Sequence, residues 1–139
     1  MDKTKRQLIA VYGFILKKDN TFLLVKRSDH DTHPGMWELP GGAVELNEDP
    51  EAAAKREVEE EASLDVTVIK PIATTTGTSS RGHQVIRIAY LCEMNNTMQE
   101  VTLSSEHSEY RWIDINEKPD LHLSGLVEQI FKEKETLEL

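Results

Sequence analysis

The feature that most constrains the fold is a segment that carries the start signals of an α-helix and a single apolar stripe. Asp49 is a favourable N-cap residue, Pro50 suits the first helical position, and alanines follow. We therefore predict a helix from about Pro50 to Ala62. Its apolar side chains recur every four residues and need another element to pack against. These side chains are Ala54, Val58 and Ala62.

Most of the remaining apolar residues lie in short runs with strand periodicity. Residues 7–16 are apolar at both alternating sets of positions, which is typical of a strand buried on two faces. After a turn at Asp19 and Asn20, residues 21–27 are predicted to return as the second strand of a hairpin. Further strands are predicted at residues 66–75, 83–92 and 109–115. Together they predict a mixed sheet.

The C-terminal part of the chain has apolar residues at helical spacing, so we predict an amphipathic helix packed on the sheet. These residues are Leu123, Leu126, Val127, Ile130 and Phe131. The chain has 139 residues, close to the length of one ordinary domain, and has no internal repeat or linker. We therefore expect a single α+β domain over residues 1–139.

The charge balance and the single cysteine exclude several classes of function. The chain has 25 acidic and 16 basic residues and a formal net charge of −9, which disfavours non-specific binding to nucleic acid or anionic membrane. Cys92 is the only cysteine, so an internal disulfide and a multi-cysteine zinc site are excluded, and we expect a cytoplasmic protein. The apolar run Leu8–Leu16 is too short to span a bilayer and lacks the cleavage site of a secretory signal.

Three glutamates give the predicted helix an acidic face. Glu57, Glu60 and Glu61 are spaced i, i+3 and i+4, so their carboxylates project from one side and repel one another. A cation would compensate this repulsion, and oxygen ligands suit Mg²⁺ or Mn²⁺ better than zinc. Gly41 and Gly42 precede the helix and provide backbone that can approach a ligand closely. The 5 histidines show no metal-ligand spacing, and we expect each of them on the surface.

The residues around this face resemble the signature of the Nudix hydrolases, in which a glycine and a glutamate precede an Arg-Glu-apolar-x-Glu-Glu-x-Gly-apolar block. The match runs from Gly42 to Leu64. The matching residues are Gly42, Glu48, Arg56, Glu57, Val58, Glu60, Glu61 and Leu64. Ser63 departs from the signature because it stands where the family has a glycine that ends the helix in a left-handed turn. We expect altered geometry there rather than loss of activity.

The resemblance covers roughly residues 7–131 and includes the flanking segments 23–27, 35–42 and 106–112. It implies a Nudix fold, in which a mixed β-sheet is sandwiched between α-helices, and hydrolysis of nucleoside diphosphate derivatives. The expected partner is a small nucleotide, not nucleic acid or a membrane, and we expect a monomer or a homodimer.

The resemblance also assigns roles to individual residues. It implies that Glu57, Glu60 and Glu61 bind Mg²⁺, with Mn²⁺ as a substitute and Glu48 as a further ligand. It implies that Arg56 holds Glu57 in place. The metal would offset repulsion between the carboxylates and a diphosphate and would activate the attacking water.

The position of the water-activating base varies within the family, sometimes a helix glutamate and sometimes one from a later loop. The later candidates here are Glu106 and Glu109. Glu109 begins a predicted strand, whereas Glu106 lies in a turn-like loop that could swing over a bound substrate. We therefore predict Glu106 as the base.

The substrate class is indicated mainly by elimination. The proline of ADP-ribose hydrolases and the tyrosine of dinucleoside-polyphosphate hydrolases are absent near residues 79–82. The chain most resembles the branch that cleaves nucleoside triphosphates, including oxidised ones, to monophosphate and pyrophosphate. The predicted substrate contacts are Gly41, Gly42, Arg27 and Arg81, with Arg87 as a further candidate for phosphate contact.

Other functions stay open at this stage. The chain could hydrolyse ADP-ribose or a nucleotide sugar instead. It could sense nucleotides without hydrolysis, although such a domain would be expected to lose the carboxylates that this chain keeps. An isoprenoid-diphosphate isomerase of the family needs a cysteine before the signature, whereas Cys92 lies after it. An acidic interaction protein is the last alternative, and it would not respond to Mg²⁺.

Overall fold

The computed structural model describes residues 4–139, which form seven strands and two helices. The strands are β1 (Gln7–Ile15), β2 (Thr21–Arg27), β3 (Trp37–Glu38), β4 (Gly41–Ala43), β5 (Val66–Thr78), β6 (Gln84–Met94) and β7 (His107–Asp114), and the helices are α1 (Pro50–Ala62) and α2 (Gly125–Glu133). No helix in this part of the chain is both long and apolar enough to cross a membrane.

The strands form two sheets, with the orders β4-β1-β6-β5 and β3-β2-β7. The first sheet is mixed, because β1 is parallel to β6 and antiparallel to β4. The predicted hairpin of β1 and β2 is wrong. One edge of β1 pairs with β4 and the other pairs with β6, so β2 cannot pair along β1. Strand β2 instead belongs to the second sheet, where it pairs with β3 and β7. An isolated bridge between Leu16 and Phe22 connects the two strands.

Two apolar clusters lie on opposite sides of the sheets, so the sheets are sandwiched between α1 and α2 as predicted. Val11 and Ile15 of β1 face the cluster that contains α1, whereas Tyr12 and Phe14 face the cluster that contains α2. This alternation explains why residues 7–16 are apolar at both sets of positions. Phe14 stacks on Phe22 of the second sheet with ring centroids 4.6 Å apart.

Helix α1 begins and ends where the sequence predicts. The side chain of Asp49 accepts a hydrogen bond from the Ala52 N–H, and the stripe of Ala54, Val58 and Ala62 is fully buried. Ser63 ends the helix in the left-handed conformation, with φ 59° and ψ 32°. A serine therefore adopts the backbone geometry for which the family uses glycine.

Gly13 of β1 lies against Val58 of α1. A Cβ at this position would lie 2.5 Å from Val58 Cγ2 and 3.5 Å from Cys92 Sγ. Gly13→Ala should therefore overpack the interface and lower the free energy of unfolding by about 1–3 kcal/mol, measured by urea denaturation.

Gly125→Ala is the matched control for this prediction. A Cβ at Gly125 would meet no atom within 4 Å, so this change should leave stability unchanged or raise it slightly. Equal unfolding free energies for the Gly13→Ala variant and the wild type would show that α1 can move away from β1 at little cost.

Candidate active site

Arg56 lies at the centre of the acidic face of α1. Its Nε and Nη2 donate to the two carboxylate oxygens of Glu48 at 2.7 and 2.8 Å. Its Nη1 donates to Glu57 Oε1 at 2.9 Å and to Glu60 Oε1 at 3.2 Å. The hydrogen bonds from Arg56 lower the pKa of Glu48 to about 2. Part of the predicted repulsion is therefore compensated within the chain, and Glu48 uses both oxygens to hold Arg56.

Gly42 allows β4 to approach the carboxylate of Glu57. A Cβ on Gly42 would lie 2.5 Å from Glu57 Oε2. A larger residue at this position would therefore displace the Glu57 carboxylate. The Gly41 N–H donates to Glu61 Oε2 at 2.9 Å. The structure thus uses both glycines to seat glutamates of α1. Their predicted contact with a substrate stays a prediction.

Glu61 is the most deeply buried carboxylate of the predicted metal ligands, with 5% of the residue exposed. Burial raises the pKa of Glu61 to about 9, and the nearby carboxylates of Glu38 and Glu106 contribute to this rise. Burial also raises the pKa of Glu57, although its hydrogen bond from Arg56 acts in the opposite direction. Glu60 differs from both, because its side chain is 57% exposed.

Glu106 lies next to Glu61, and backbone hydrogen bonds connect its loop to α1 and to the end of β2. One side-chain atom each of Glu61, Glu106 and His107 lie within 4.8 Å of one another. The Ser28 N–H donates to the Glu106 carbonyl at 3.0 Å, and the Ser104 N–H donates to the Glu61 carbonyl at 3.1 Å. These bonds place Glu106 beside α1, and its predicted swing over a bound substrate stays a prediction. The other predicted candidate, Glu109, pairs with Lys26 at 3.1 Å.

His107 is buried, so the expectation of a surface histidine is wrong for this residue. Its Nε2 lies 2.9 Å from Glu38 Oε2, and its Nδ1 lies 3.9 Å from Glu61 Oε2. The sequence pattern does not predict this role, because strand β7 begins at His107, two residues before the predicted start. Its position directly after Glu106 was the only signal in the sequence.

Arg27 is paired with two carboxylates, and its predicted contact with substrate phosphate stays a prediction. Its Nη1 donates to Asp31 Oδ1 at 2.7 Å and its Nη2 donates to Glu38 Oε1 at 3.1 Å. The guanidinium is therefore already engaged with two carboxylates. Its direct role in the structure is to hold Glu38, which in turn contacts His107.

A cleft of about 490 Å³ lies beside Glu38 and between the two sheets. Arg87 projects into it from β6 and has no ion pair within residues 4–139. A Cβ on Gly77 would lie 2.7 Å from Arg87 Nη1, so the glycine makes room for the guanidinium. Arg81 lies in the exposed turn after β5 and does not line the cleft. The lining includes Tyr12, Arg27, Thr32, His33, Met36, Glu38, Thr75, Thr76, Thr78, Ser79, Ser80, Arg87 and Ser124.

The raised pKa of Glu61 predicts how stability depends on pH without metal. The folded protein keeps the Glu61 proton up to a pH near 9, whereas the unfolded chain loses it near 4.5. The contribution of the Glu61 proton to the free energy of unfolding is complete below pH 4.5. It is lost as pH rises towards about 9, by at most about 1.4 kcal/mol per pH unit. Glu61→Gln keeps the side chain neutral and should flatten this slope in urea denaturation with a chelator present.

Glu59→Gln removes a neighbouring exposed carboxylate of α1 and is the control for this measurement. It should retain the slope of the wild type. A Glu61→Gln variant with an unchanged slope would mean that Glu61 is ionised in the folded, metal-free protein.

Comparisons with known proteins agree with this geometry. A family model described as NUDIX domain matches residues 6–129. A MutT-like protein of Streptomyces ambofaciens is 31% identical over 109 residues, which cover 78% of this chain and 65% of that protein, less than two thirds of its length. An 8-oxo-dGTP diphosphatase of Proteus vulgaris is 34% identical over 100 residues, which cover 72% of this chain and 88% of that enzyme.

The fold agrees as well. The crystal structure of a MutT protein from Methanosarcina mazei Go1 superposes with a TM-score of 0.82 and 25% identity, covering 99% of each chain. The matched residues of the family model include all of β1 to β7, α1 and the carboxylate cluster. The chain therefore belongs to the NUDIX family, as the residues from Gly42 to Leu64 predicted.

Proposed function

We propose that the protein hydrolyses nucleoside triphosphates, including oxidised ones, to a monophosphate and pyrophosphate with the help of Mg²⁺. The observation that carries this proposal is the group of Glu57, Glu60 and Glu61 on one side of α1. Arg56 holds the first two and the Gly41 N–H holds the third, and Glu38, whose carboxylate lies near Glu61, lines a polar cleft. Water would attack one phosphorus of the α–β phosphoanhydride and lose a proton to a carboxylate, while the bridging P–O bond breaks and the bridging oxygen leaves with the other phosphoryl group. Such a reaction depends on positioning and on charge stabilisation, which this cluster can provide.

The donor set fits a hard divalent cation. Within the described chain, no lysine contacts the carboxylates of Glu57 and Glu61, which are partly and fully buried. Glu61 has no lysine or arginine partner there, and His107 Nδ1 lies 3.9 Å from its Oε2. Glu57, Glu60 and Glu61 would hold Mg²⁺ or, in its place, Mn²⁺, while Glu48 serves chiefly to hold Arg56. When bound, the cation would neutralise phosphate charge and lower the pKa of a water molecule.

The cleft suits the nucleoside part of the substrate. Arg87 and Tyr12 line it together with the hydroxyl groups of Thr75, Thr78 and Ser79. A guanidinium can donate two hydrogen bonds to the O6 and N7 acceptors of a guanine base. In 8-oxoguanine N7 carries a hydrogen, so O6 is the acceptor that both bases offer to Arg87. The Proteus vulgaris relative is named for 8-oxo-dGTP, and a guanine-type base in this cleft is the substrate that we infer.

Two wider proposals concern the oligomeric state and the cellular setting of the protein. All residues of the cluster and of the cleft come from one chain, so a monomer or a homodimer would be active. The single cysteine, Cys92, cannot form an internal disulfide, and this cysteine usage supports a cytoplasmic setting.

The substrate proposal is tested by assaying the purified protein with Mg²⁺ against dGTP, 8-oxo-dGTP, the other nucleoside triphosphates, ADP-ribose and a nucleotide sugar. We expect monophosphate and pyrophosphate from triphosphates, with guanine-type bases preferred.

Glu57→Gln should lower turnover by more than about 100-fold, because it removes a proposed metal ligand rather than a residue that only contacts a ligand.

Two results would contradict the substrate proposal. Preferred release of AMP from ADP-ribose would assign the protein to the alternative hydrolase class. Tight Mg²⁺-dependent nucleotide binding without any hydrolysis would identify a sensor.

The base is tested by comparing Glu106→Gln with Glu57→Gln. Because Glu106 lies beside Glu61, we expect Glu106→Gln to lower turnover by about 10²- to 10⁴-fold. Its Mg²⁺ affinity should change far less than that of Glu57→Gln. Full turnover in Glu106→Gln would mean that a glutamate of α1 accepts the proton.

A further inference from the structure

His107 carries a buried polar atom that the proposed hydrolysis does not use. Its side chain is 2% exposed. Within residues 4–139, Nδ1 has no hydrogen-bond partner, although Nε2 lies 2.9 Å from Glu38 Oε2. Buried polar atoms almost always have partners, so an exception beside a cluster of carboxylates requires an explanation.

Glu38 determines which nitrogen of the imidazole carries the hydrogen. Arg27 Nη2 donates to Glu38 Oε1 at 3.1 Å, and a carboxylate in an ion pair can only accept hydrogen bonds. The Nε2 of His107 must therefore carry a hydrogen and donate it to Glu38 Oε2. In the neutral ring, this leaves a lone pair on Nδ1.

That lone pair faces the carboxylate of Glu61. Nδ1 and Glu61 Oε2 are 3.9 Å apart, which is too long for a hydrogen bond between them. Two ligands of one divalent ion with bonds of about 2.1 Å can lie up to about 4.2 Å apart. The separation therefore fits an ion shared by the two side chains better than a direct contact.

We propose that His107 Nδ1 is a ligand of the divalent cation held by Glu61, and that Glu38 orients the imidazole through Nε2. The proposal rests on the proposed function in that Glu61 binds a metal. The order carboxylate, histidine, metal is a common arrangement in metalloproteins, in which the carboxylate fixes the ring orientation and the tautomer. Arg27 completes this chain of contacts by holding Glu38.

A nitrogen ligand changes the metal preference of the site. Mg²⁺ favours oxygen ligands, whereas imidazole favours transition metals. His107 should therefore raise the affinity for Mn²⁺ more than the affinity for Mg²⁺. The ratio of the two affinities should then depend on this residue.

The test uses the full chain, Mn²⁺ as the probe and no nucleotide. Mn²⁺ affinity is measured by electron paramagnetic resonance titration, and imidazole coordination is detected by electron spin echo envelope modulation with ¹⁴N- and ¹⁵N-histidine-labelled protein. His107→Gln places an amide that can still reach Glu38 but offers no ligand at Nδ1. His30→Gln changes an exposed histidine of the loop after β2 and is the matched control.

We expect histidine nitrogen coupling to Mn²⁺ in the wild type and in His30→Gln, and its loss in His107→Gln. The Mn²⁺ affinity of His107→Gln should fall at least about tenfold, and its Mg²⁺ affinity should fall less. Circular dichroism would show whether His107→Gln folds. If it does not, the proposal is judged from the wild type alone, by whether its Mn²⁺ signal changes between ¹⁴N- and ¹⁵N-histidine labelling.

Absence of histidine coupling in Mn²⁺-loaded wild type, or unchanged coupling in folded His107→Gln, would overturn the proposal. Pyrophosphate release by the same preparation would then show that the proposed function stands without it. Conversely, His107-dependent coupling in a protein that hydrolyses no nucleotide would support the ligand and refute the proposed function.

Discussion

Charge compensation by Arg56 is the interaction on which the candidate site depends. Helix α1 brings Glu57, Glu60 and Glu61 to one side, and its neighbour Glu48 approaches from the preceding loop. A guanidinium has a rigid plane with five N–H donors, so one residue can bond several carboxylates at once. A lysine has a single ammonium group and could not hold the same set. Glu61 does not contact Arg56, and burial raises its pKa to about 9, so a bound cation would be needed to stabilise its charged form at neutral pH.

Local hydrogen bonds explain why α1 could be predicted from the sequence. The cap at Asp49 and the end at Ser63 involve residues at most four positions away, so their signals are contiguous in the chain. The shared face of the glutamates also follows from helical spacing alone. Strand partners are different, because β1 pairs with residues 41–43 and 84–92, far from it in sequence. The wrong hairpin of β1 and β2 reflects this non-local choice.

The contacts around His107 could not be predicted for the same reason. Arg27, Glu38 and His107 come from β2, β3 and β7, and the last two are 69 positions apart. Only the register of the second sheet brings them together. The register of β6 likewise turns Arg87 into the cleft, since a shift of one residue would point its side chain to the other face. The sequence predicts that arginines contact phosphate because of their residue type. The pairing of the strands determines which side chains each arginine contacts in the structure.

Ser63 shows how a departure from the family signature can be accommodated at this site. A left-handed conformation costs a residue with a Cβ about 1–2 kcal/mol relative to a right-handed one. The Ser63 Oγ donates to the Thr102 carbonyl at 3.0 Å, a bond that glycine cannot form and that contributes about 0.5–1.5 kcal/mol. The Thr102 N–H also donates to the Ala62 carbonyl at 3.1 Å, so the end of α1 and the segment leading to Glu106 are joined twice. The serine therefore offsets much of its backbone cost and adds a tie between the helix that carries Glu61 and the loop that carries Glu106.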